Sequence, residues 1–131
     1  GQFHRGTSGA LAAAEHGVLR AWQPLFERAG LPLALHEDMR GVQWGKLLLN
    51  LNNPVNALSE LPLREELLSR GYRRALAALQ DEALRVLQAA RIEPARLTPL
   101  PPTWLPAVLR LPTPLFRLLA ARMLRVPDSE P

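Results

Sequence analysis

The sequence predicts an all-α fold, on the strength of its composition and of the spacing of its apolar residues. Hydrophobic residues make up 47% of the 131 residues and are led by leucine and alanine, which favour helices. Aromatic residues make up only 5% and β-branched residues are scarce, so strands have little from which to form. We therefore expect one multi-helix domain, large enough to bury a core, over about residues 9–126.

The first predicted helix runs from about Gly9 to Ala29, with Ser8 as its N-cap. Gly30 should end it, because glycine readily adopts the left-handed conformation that follows many helices. Residues 31–37 then read as an extended connector, and Asp38 is well placed to cap the next helix.

That next helix carries an apolar side that should anchor it in the core. Pro54 has no N–H to donate to the carbonyl of Asn50, so it should break or bend the helix there. The residues predicted to face the core are Trp44, Leu47, Leu48, Leu51 and Val55.

Two later segments also show helical spacing. Residues 70–90 should form a core helix with arginines and acids on its solvated side. Prolines divide the chain after Ile92, and residues 113–124 form the clearest helix beyond them. The residues predicted to form the apolar side of the 70–90 helix are Tyr72, Leu76, Leu79, Ala83, Val86, Leu87 and Ala90.

The main chemical signal is Lys46, the only lysine among 16 basic residues. An ammonium group can lose a proton when it is partly desolvated, whereas guanidinium stays charged at any working pH. All of the chain's asparagines, Asn50, Asn52, Asn53 and Asn56, lie within ten residues of it. Lys46, Asn50 and Asn53 are spaced i, i+4 and i+7, which places them on one helical stripe. A solvated surface with no further role explains the stripe equally well.

Around this stripe the sequence resembles the C-terminal domain of ketopantoate reductase (2-dehydropantoate 2-reductase). The resemblance is carried by residues 26–31 (FERAGL), 44–50 (WGKLLLN), Asn53-Pro54 and 57–67 (ALSELPLREEL). It implies a helical domain of the 6-phosphogluconate dehydrogenase C-terminal-like type. In that family a separate N-terminal Rossmann domain binds NADPH, and residues 1–8 would be the tail of that domain or a linker.

The resemblance also implies roles for the residues of the stripe. Lys46 would be the general acid that protonates the ketone oxygen as ketopantoate is reduced to pantoate, a step of pantothenate and coenzyme A biosynthesis. Asn50 would line the substrate site, and Asn53 or Asn56 would bind polar groups of the substrate. No G-x-G-x-x-G nucleotide motif is present, and the family's later serine and glutamate would follow residue 131. We therefore interpret the chain as part of a longer enzyme, inactive alone.

Other function classes find less support. The absence of cysteine excludes disulfides, thiolate catalysis and cysteine-ligated zinc, and three separated histidines do not predict a metal site. No apolar run is long enough to span a membrane, and a cytoplasmic location fits the composition. The net charge of +4 favours anionic ligands, yet the arginines alternate with acids and leucines, which does not favour nucleic acid. The pair Glu65-Glu66 reads as solvated or as a helix-dipole partner.

Two alternatives stay open. The same fold and chemistry could serve a different 2-keto acid, since Leu63 stands where some family members carry an asparagine. The chain could also be a noncatalytic helical interaction module in which Lys46 is an ordinary surface residue. A homodimer through the helical domain is compatible with either reading.

Overall fold

A computed structural model describes residues 10–124, with side chains described to residue 121. The chain divides into two compact units, residues 1–40 and 41–131. The predicted N-cap Ser8 and the predicted helix start at Gly9 lie outside the described residues. The sequence predicts one helical core over about residues 9–126, and this range extends over both units.

The described part of the first unit is a β–α–β arrangement. Strand β1 (Leu11–Ala14) pairs in parallel with strand β2 (Leu33–His36), and helix α1 (Gly17–Arg28) connects them. The predicted helix is therefore wrong for residues 11–14. This alanine-rich segment has helical propensity, but pairing with β2 satisfies its backbone groups and decides its conformation. The predicted extended connector forms β2.

Helix α1 ends as the sequence predicts, at Gly30. The backbone of Gly30 is left-handed (φ 71°), its N–H donates to the Glu27 carbonyl at 2.9 Å, and the Leu31 N–H donates to the Phe26 carbonyl at 3.0 Å. These two bonds form a Schellman motif, which satisfies carbonyls of the last helical turn.

The second unit is helical, and it confirms the all-α class that the sequence predicts. The predicted helices at 70–90 and 113–124 are confirmed to within one residue. Among the described residues, the helices from 39 onward are α2 (Met39–Asn50), α3 (Asn52–Ser59), α4 (Leu63–Leu68), α5 (Arg70–Ala89), α6 (Leu105–Leu109) and α7 (Thr113–Leu124), with a 3₁₀ turn at Pro102–Trp104. None of the helices in residues 10–124 combines the length and the apolar character of a membrane span.

Helix α5 is the centre of the core, but its buried side is not the one that the sequence predicts. Leu76 and Leu87 are buried as expected, whereas Leu79 and Val86 are 38% and 61% exposed. Arg73, one of the arginines predicted on the solvated side, is buried instead, and so is Gln80, which the sequence assigned to neither side. The spacing of apolar residues did not predict this face, because two of its residues, Arg73 and Gln80, are polar and form their hydrogen bonds inside the protein. The main cluster comprises Val55, Leu76, Ala77 and Leu109, with Leu51, Tyr72 and Phe116 against it.

Arg73 joins α5 to three other elements. Its side chain is fully buried, and its guanidinium lies over the Phe116 ring, 4.4 Å from the centroid. Burial, and secondarily the charge of Arg70, lowers the pKa of Arg73 below its ordinary value. The guanidinium donates to the carbonyls of Leu67 (2.9 Å), Leu109 (3.0 Å) and Leu111 (2.9 Å) and to the Thr113 hydroxyl (3.2 Å).

Helix α2 approaches the backbone near Ala95 closely. The Ala95 N–H donates to the Gly41 carbonyl at 2.8 Å, and both Gly41 and Gly45 are buried. A methyl group on Gly45 would overlap the Ala95 carbonyl oxygen and lie 3.2 Å from its nitrogen. Only glycine therefore fits at position 45, one residue before Lys46.

Replacing Gly45 by alanine is expected to destabilise the protein by about 1–3 kcal/mol, because backbone atoms cannot move aside as a flexible side chain can. Chemical denaturation followed by circular dichroism measures this. Gly17→Ala is the matched control, since no atom beyond its chain neighbours and its own helix backbone lies within 4 Å of the added methyl group. If both variants unfold at the wild-type denaturant concentration, the close approach to Ala95 is not required.

Candidate functional site

The candidate site lies where α2 gives way to α3. Lys46 is in α2, Asn50 is its last residue, and Asn53 is the second residue of α3. The break falls at Leu51, whose backbone stays in the helical region (φ −58°, ψ −17°). The predicted break is thus present, three residues before Pro54, and it leaves the helical path nearly continuous.

Lys46, Asn50 and Asn53 are all exposed. Helical backbone angles on both sides of Leu51 keep the three residues on one stripe, as their spacing predicts. Within residues 10–124, none of the three side chains has a hydrogen bond or an ion pair. No described residue therefore competes with an external ligand for their amine and amide groups.

The opposite side of this segment packs, although not with all the residues that the sequence predicts. Leu48 and Val55 are buried, and Trp44 and Leu51 are partly buried. Leu47 is 44% exposed, so its predicted core position is wrong. Gly41 and Gly45 face the protein instead, because the chain near Ala95 comes too close for larger side chains.

The other two asparagines turn inward to Glu66. The Asn52 and Asn56 amides donate to the same Glu66 oxygen, Oε2, at 3.3 and 2.8 Å. Asn56 also donates to the Leu61 carbonyl at 3.0 Å, so both of its amide hydrogens are used within the domain. Asn56, which the sequence predicts as a substrate ligand, thus has an environment unlike that of the exposed stripe.

Glu66 itself is fully buried, so its interpretation as a solvated carboxylate is wrong. Its Oε1 atom and the Asn52 Oδ1 atom are buried without a hydrogen-bond partner among the described residues. Burying polar groups costs free energy unless they are paired, so these side chains are held in place by the surrounding packing.

A second buried side chain braces the end of α2. Gln80, on α5, is 4% exposed, and its Nε2 donates to the Leu48 carbonyl at 3.2 Å. This carbonyl belongs to the last turn of α2, where helices leave carbonyls without intrahelical partners. The Oε1 atom of Gln80 is buried and has no hydrogen-bond partner among the described residues.

Sequence reasoning missed Asn52, Glu66 and Gln80 as parts of this site. One signal was available for Asn52, since it stands four residues before Asn56 and must share a helical side with it. Nothing local identifies Glu66 or Gln80, because both reach the site from other helices.

A dinucleotide such as NADPH is commonly held by a glycine-rich turn between a strand and a helix. Among residues 10–124, the β–α turn from Ala14 to Gly17 contains one glycine and does not have the G-x-G-x-x-G pattern. His16 Nδ1 already accepts the Val18 N–H at 3.3 Å, and Glu15, paired with Arg20, places a carboxylate there. Residues 10–124 also contain no group of three or more His, Cys, Asp or Glu that could hold a metal ion.

Comparison with known families decides what kind of domain carries this site. The sequence model described as the C-terminal domain of ketopantoate reductase, PanE/ApbA, matches residues 38–123. The chain belongs to this family. A search of curated proteins and a search of solved structures each found no match.

The match to the ketopantoate reductase family covers the whole candidate site. It begins at residue 38, close to the division between the two compact units, and it includes the stripe, the inward asparagines, Glu66 and Gln80. The β–α–β arrangement lies before it. The helical unit is therefore the family's C-terminal domain.

Proposed function

We propose that this chain supplies the proton donor and substrate contacts of an NADPH-dependent reductase that converts ketopantoate to pantoate. The observation that carries the proposal is the exposed stripe. The only lysine of the chain shares it with two asparagines, inside the region that matches the family. The pathway would be pantothenate and coenzyme A biosynthesis, in the cytoplasm.

Lys46 would act as the general acid. Reduction of a ketone to an alcohol adds a hydride at carbon and a proton at oxygen, and this chain's part concerns the proton. The Lys46 ammonium would donate it from Nζ to the oxygen as negative charge develops there, and solvent would restore it. Guanidinium is a poor donor for this step, which gives a reason for a single lysine in an arginine-rich chain.

Asn50 and Asn53 would orient the substrate. Amide groups donate and accept hydrogen bonds, so they suit a ligand that carries carbonyl, carboxylate and hydroxyl groups. The inward contacts of Asn56 support a structural role for it and leave Asn53 as the second substrate ligand.

NADPH would be bound by a separate N-terminal domain, as the resemblance to the family implies. A homodimer is compatible with this function, which requires neither nucleic acid nor a membrane as a partner.

A different 2-keto acid is the second candidate substrate. Leu63, at the first position of α4, is 52% exposed and apolar where some family members carry an asparagine. An apolar residue there would favour a substrate with less polar surface on that side, because an unpaired polar group loses free energy when it is buried.

The test is an assay of NADPH oxidation, monitored by the absorbance of NADPH. It uses the longer protein of which we propose this chain is a part. Ketopantoate and a panel of other 2-keto acids serve as substrates. We expect turnover to be fastest with ketopantoate and absent when this chain is assayed alone. Turnover with another 2-keto acid only would support the second candidate. A protein that neither binds NADPH nor oxidises it would contradict both and favour an interaction module.

A further inference from the structure

The junction between α2 and α3 needs support from outside the two helices. Pro54 cannot donate to the Asn50 carbonyl, so one backbone bond that would lock α3 onto α2 is missing. The rotation of α3 about its axis decides whether Asn53 points along the same stripe as Lys46. The helical backbone at Leu51 and the burial of Val55 set that rotation in part, and polar contacts from other helices add to them.

Glu66 supplies this support from α4. Its Oε2 accepts from Asn52 and Asn56, which stand four residues apart and so lie on one side of α3. Two anchors one turn apart on a single side hold a helix against rotation. Asn53 follows Asn52 and is turned about 100° from it, which directs it outward.

We propose that Glu66 is a positioning residue for the Lys46 stripe. Its carboxylate sets the rotation of α3 and thereby the direction of Asn53 relative to Lys46 and Asn50. Glu66 is fully buried and does not touch substrate, so it acts only through Asn52 and Asn56. The effect on turnover rests on the proposed reductase function, whereas the effect on Asn53 does not.

The positioning role is separable from a stabilising one. One Glu66 oxygen accepts two amides and the other has no partner among the described residues, so the group recovers little of its desolvation cost. Glu66→Gln keeps an acceptor oxygen for both amides. Glu66→Met keeps the volume of the side chain and removes the acceptor, and the two variants are therefore a matched pair.

The kinetic test measures kcat and KM in the longer protein at a temperature where circular dichroism shows every variant folded. We expect Glu66→Met to lower kcat by about tenfold or more, since a displaced positioning group costs turnover rather than folding. The KM for NADPH should stay within about twofold of wild type, because the altered contact is made on the keto-acid side. Glu66→Gln should restore most of the lost kcat.

A second test uses the asparagines themselves, in this chain. Selective ¹⁵N-asparagine labelling gives signals from Asn50, Asn52, Asn53 and Asn56 alone, all of them within the site. Glu66→Met should shift the Asn52 and Asn56 side-chain signals directly and the Asn53 backbone signal through rotation of α3. In Glu66→Gln, the Asn53 signal should return toward its wild-type position.

The outcomes separate this inference from the proposed function. An unchanged kcat and an unmoved Asn53 signal in Glu66→Met would overturn the positioning role, and so would equal losses in the Met and Gln variants. Should Glu66→Met fail to fold, Asn56→Ala cuts the 2.8 Å link from the other side and must give the same effects. If none of the 2-keto acids supports NADPH oxidation by the wild-type protein, the proposed function fails, and the kinetic role of Glu66 fails with it. The Asn53 signal then still decides whether Glu66 sets the rotation of α3.

Discussion

Replacing Lys46 by alanine is expected to abolish most of the reductase activity while leaving the fold intact. The loss should be about 10²- to 10⁴-fold in kcat, the usual contribution of a positioned general acid. Lys46 is exposed and has no partner within the described residues, so its removal takes away no packing and no internal bond. Surface substitutions of that kind change the free energy of unfolding by about 0.5 kcal/mol or less.

Arg40→Ala is the control for this variant. Arg40 is exposed on the same helix, and its removal deletes one positive charge at a position about 120° around the helix from Lys46. NADPH oxidation and thermal unfolding are measured for both variants. If turnover depends on positive charge in general, it should fall in both variants. If it depends on proton donation by Lys46, it should fall only in Lys46→Ala. Wild-type turnover in Lys46→Ala would contradict the proposed role.

Replacing Arg73 by methionine is expected to give the largest loss of stability in the helical unit. The change leaves three carbonyls and one hydroxyl without the donor that now satisfies them. Each buried group left unpaired costs about 1–3 kcal/mol, so we expect the free energy of unfolding to fall by about 3–5 kcal/mol in total. Domains of this size are stable by only about 5–15 kcal/mol, so this loss is a large fraction of the total and should lower the unfolding temperature.

Arg74→Met is the matched control, since Arg74 is the next residue of α5 and is exposed. Both variants lose one guanidinium and gain one thioether. Differential scanning calorimetry should show a fall in Tm of more than about 10 °C for Arg73→Met and little change for Arg74→Met. Equal Tm values for the two variants would mean that the buried hydrogen bonds of Arg73 do not hold α4, α6 and α7 to α5.

The contrast between Arg73 and Arg74 illustrates what the sequence could and could not predict. Helix positions followed from apolar spacing, and the helices at 70–89 and 113–124 were predicted to within one residue. The buried side of α5 was not, because the spacing rule counts arginine and glutamine as solvated. Most of the hydrogen-bond partners of Arg73 and Gln80, on α2 and around α6, lie more than 30 residues away along the chain.

Residues 11–14 show a different limit. The run from Leu11 to Ala14 favours a helix locally, and its strand conformation depends on pairing with residues 33–36. Long-range pairing of this kind overrides local propensity and leaves no mark in a short window of sequence.

The candidate site was predicted in part for a similar reason. The stripe of Lys46, Asn50 and Asn53 lies within two adjoining helices, so spacing alone was enough to place it. The separation of the asparagines into an exposed pair and a half-buried pair that turns inward depends on Glu66, which comes from α4. Glu66 follows another glutamate, Glu65, in the sequence, and nothing in this pair indicates that Glu66 is buried.

The measurement that tests the central claim most directly is kcat for Lys46→Arg, determined beside wild type in the longer protein. Arginine keeps the positive charge and much of the length of lysine but does not give up its proton at working pH. We predict that kcat falls nearly as far as in Lys46→Ala, while NADPH binding is retained. A Lys46→Arg enzyme with wild-type turnover would show that the position supplies charge alone and would contradict Lys46 as the proton donor.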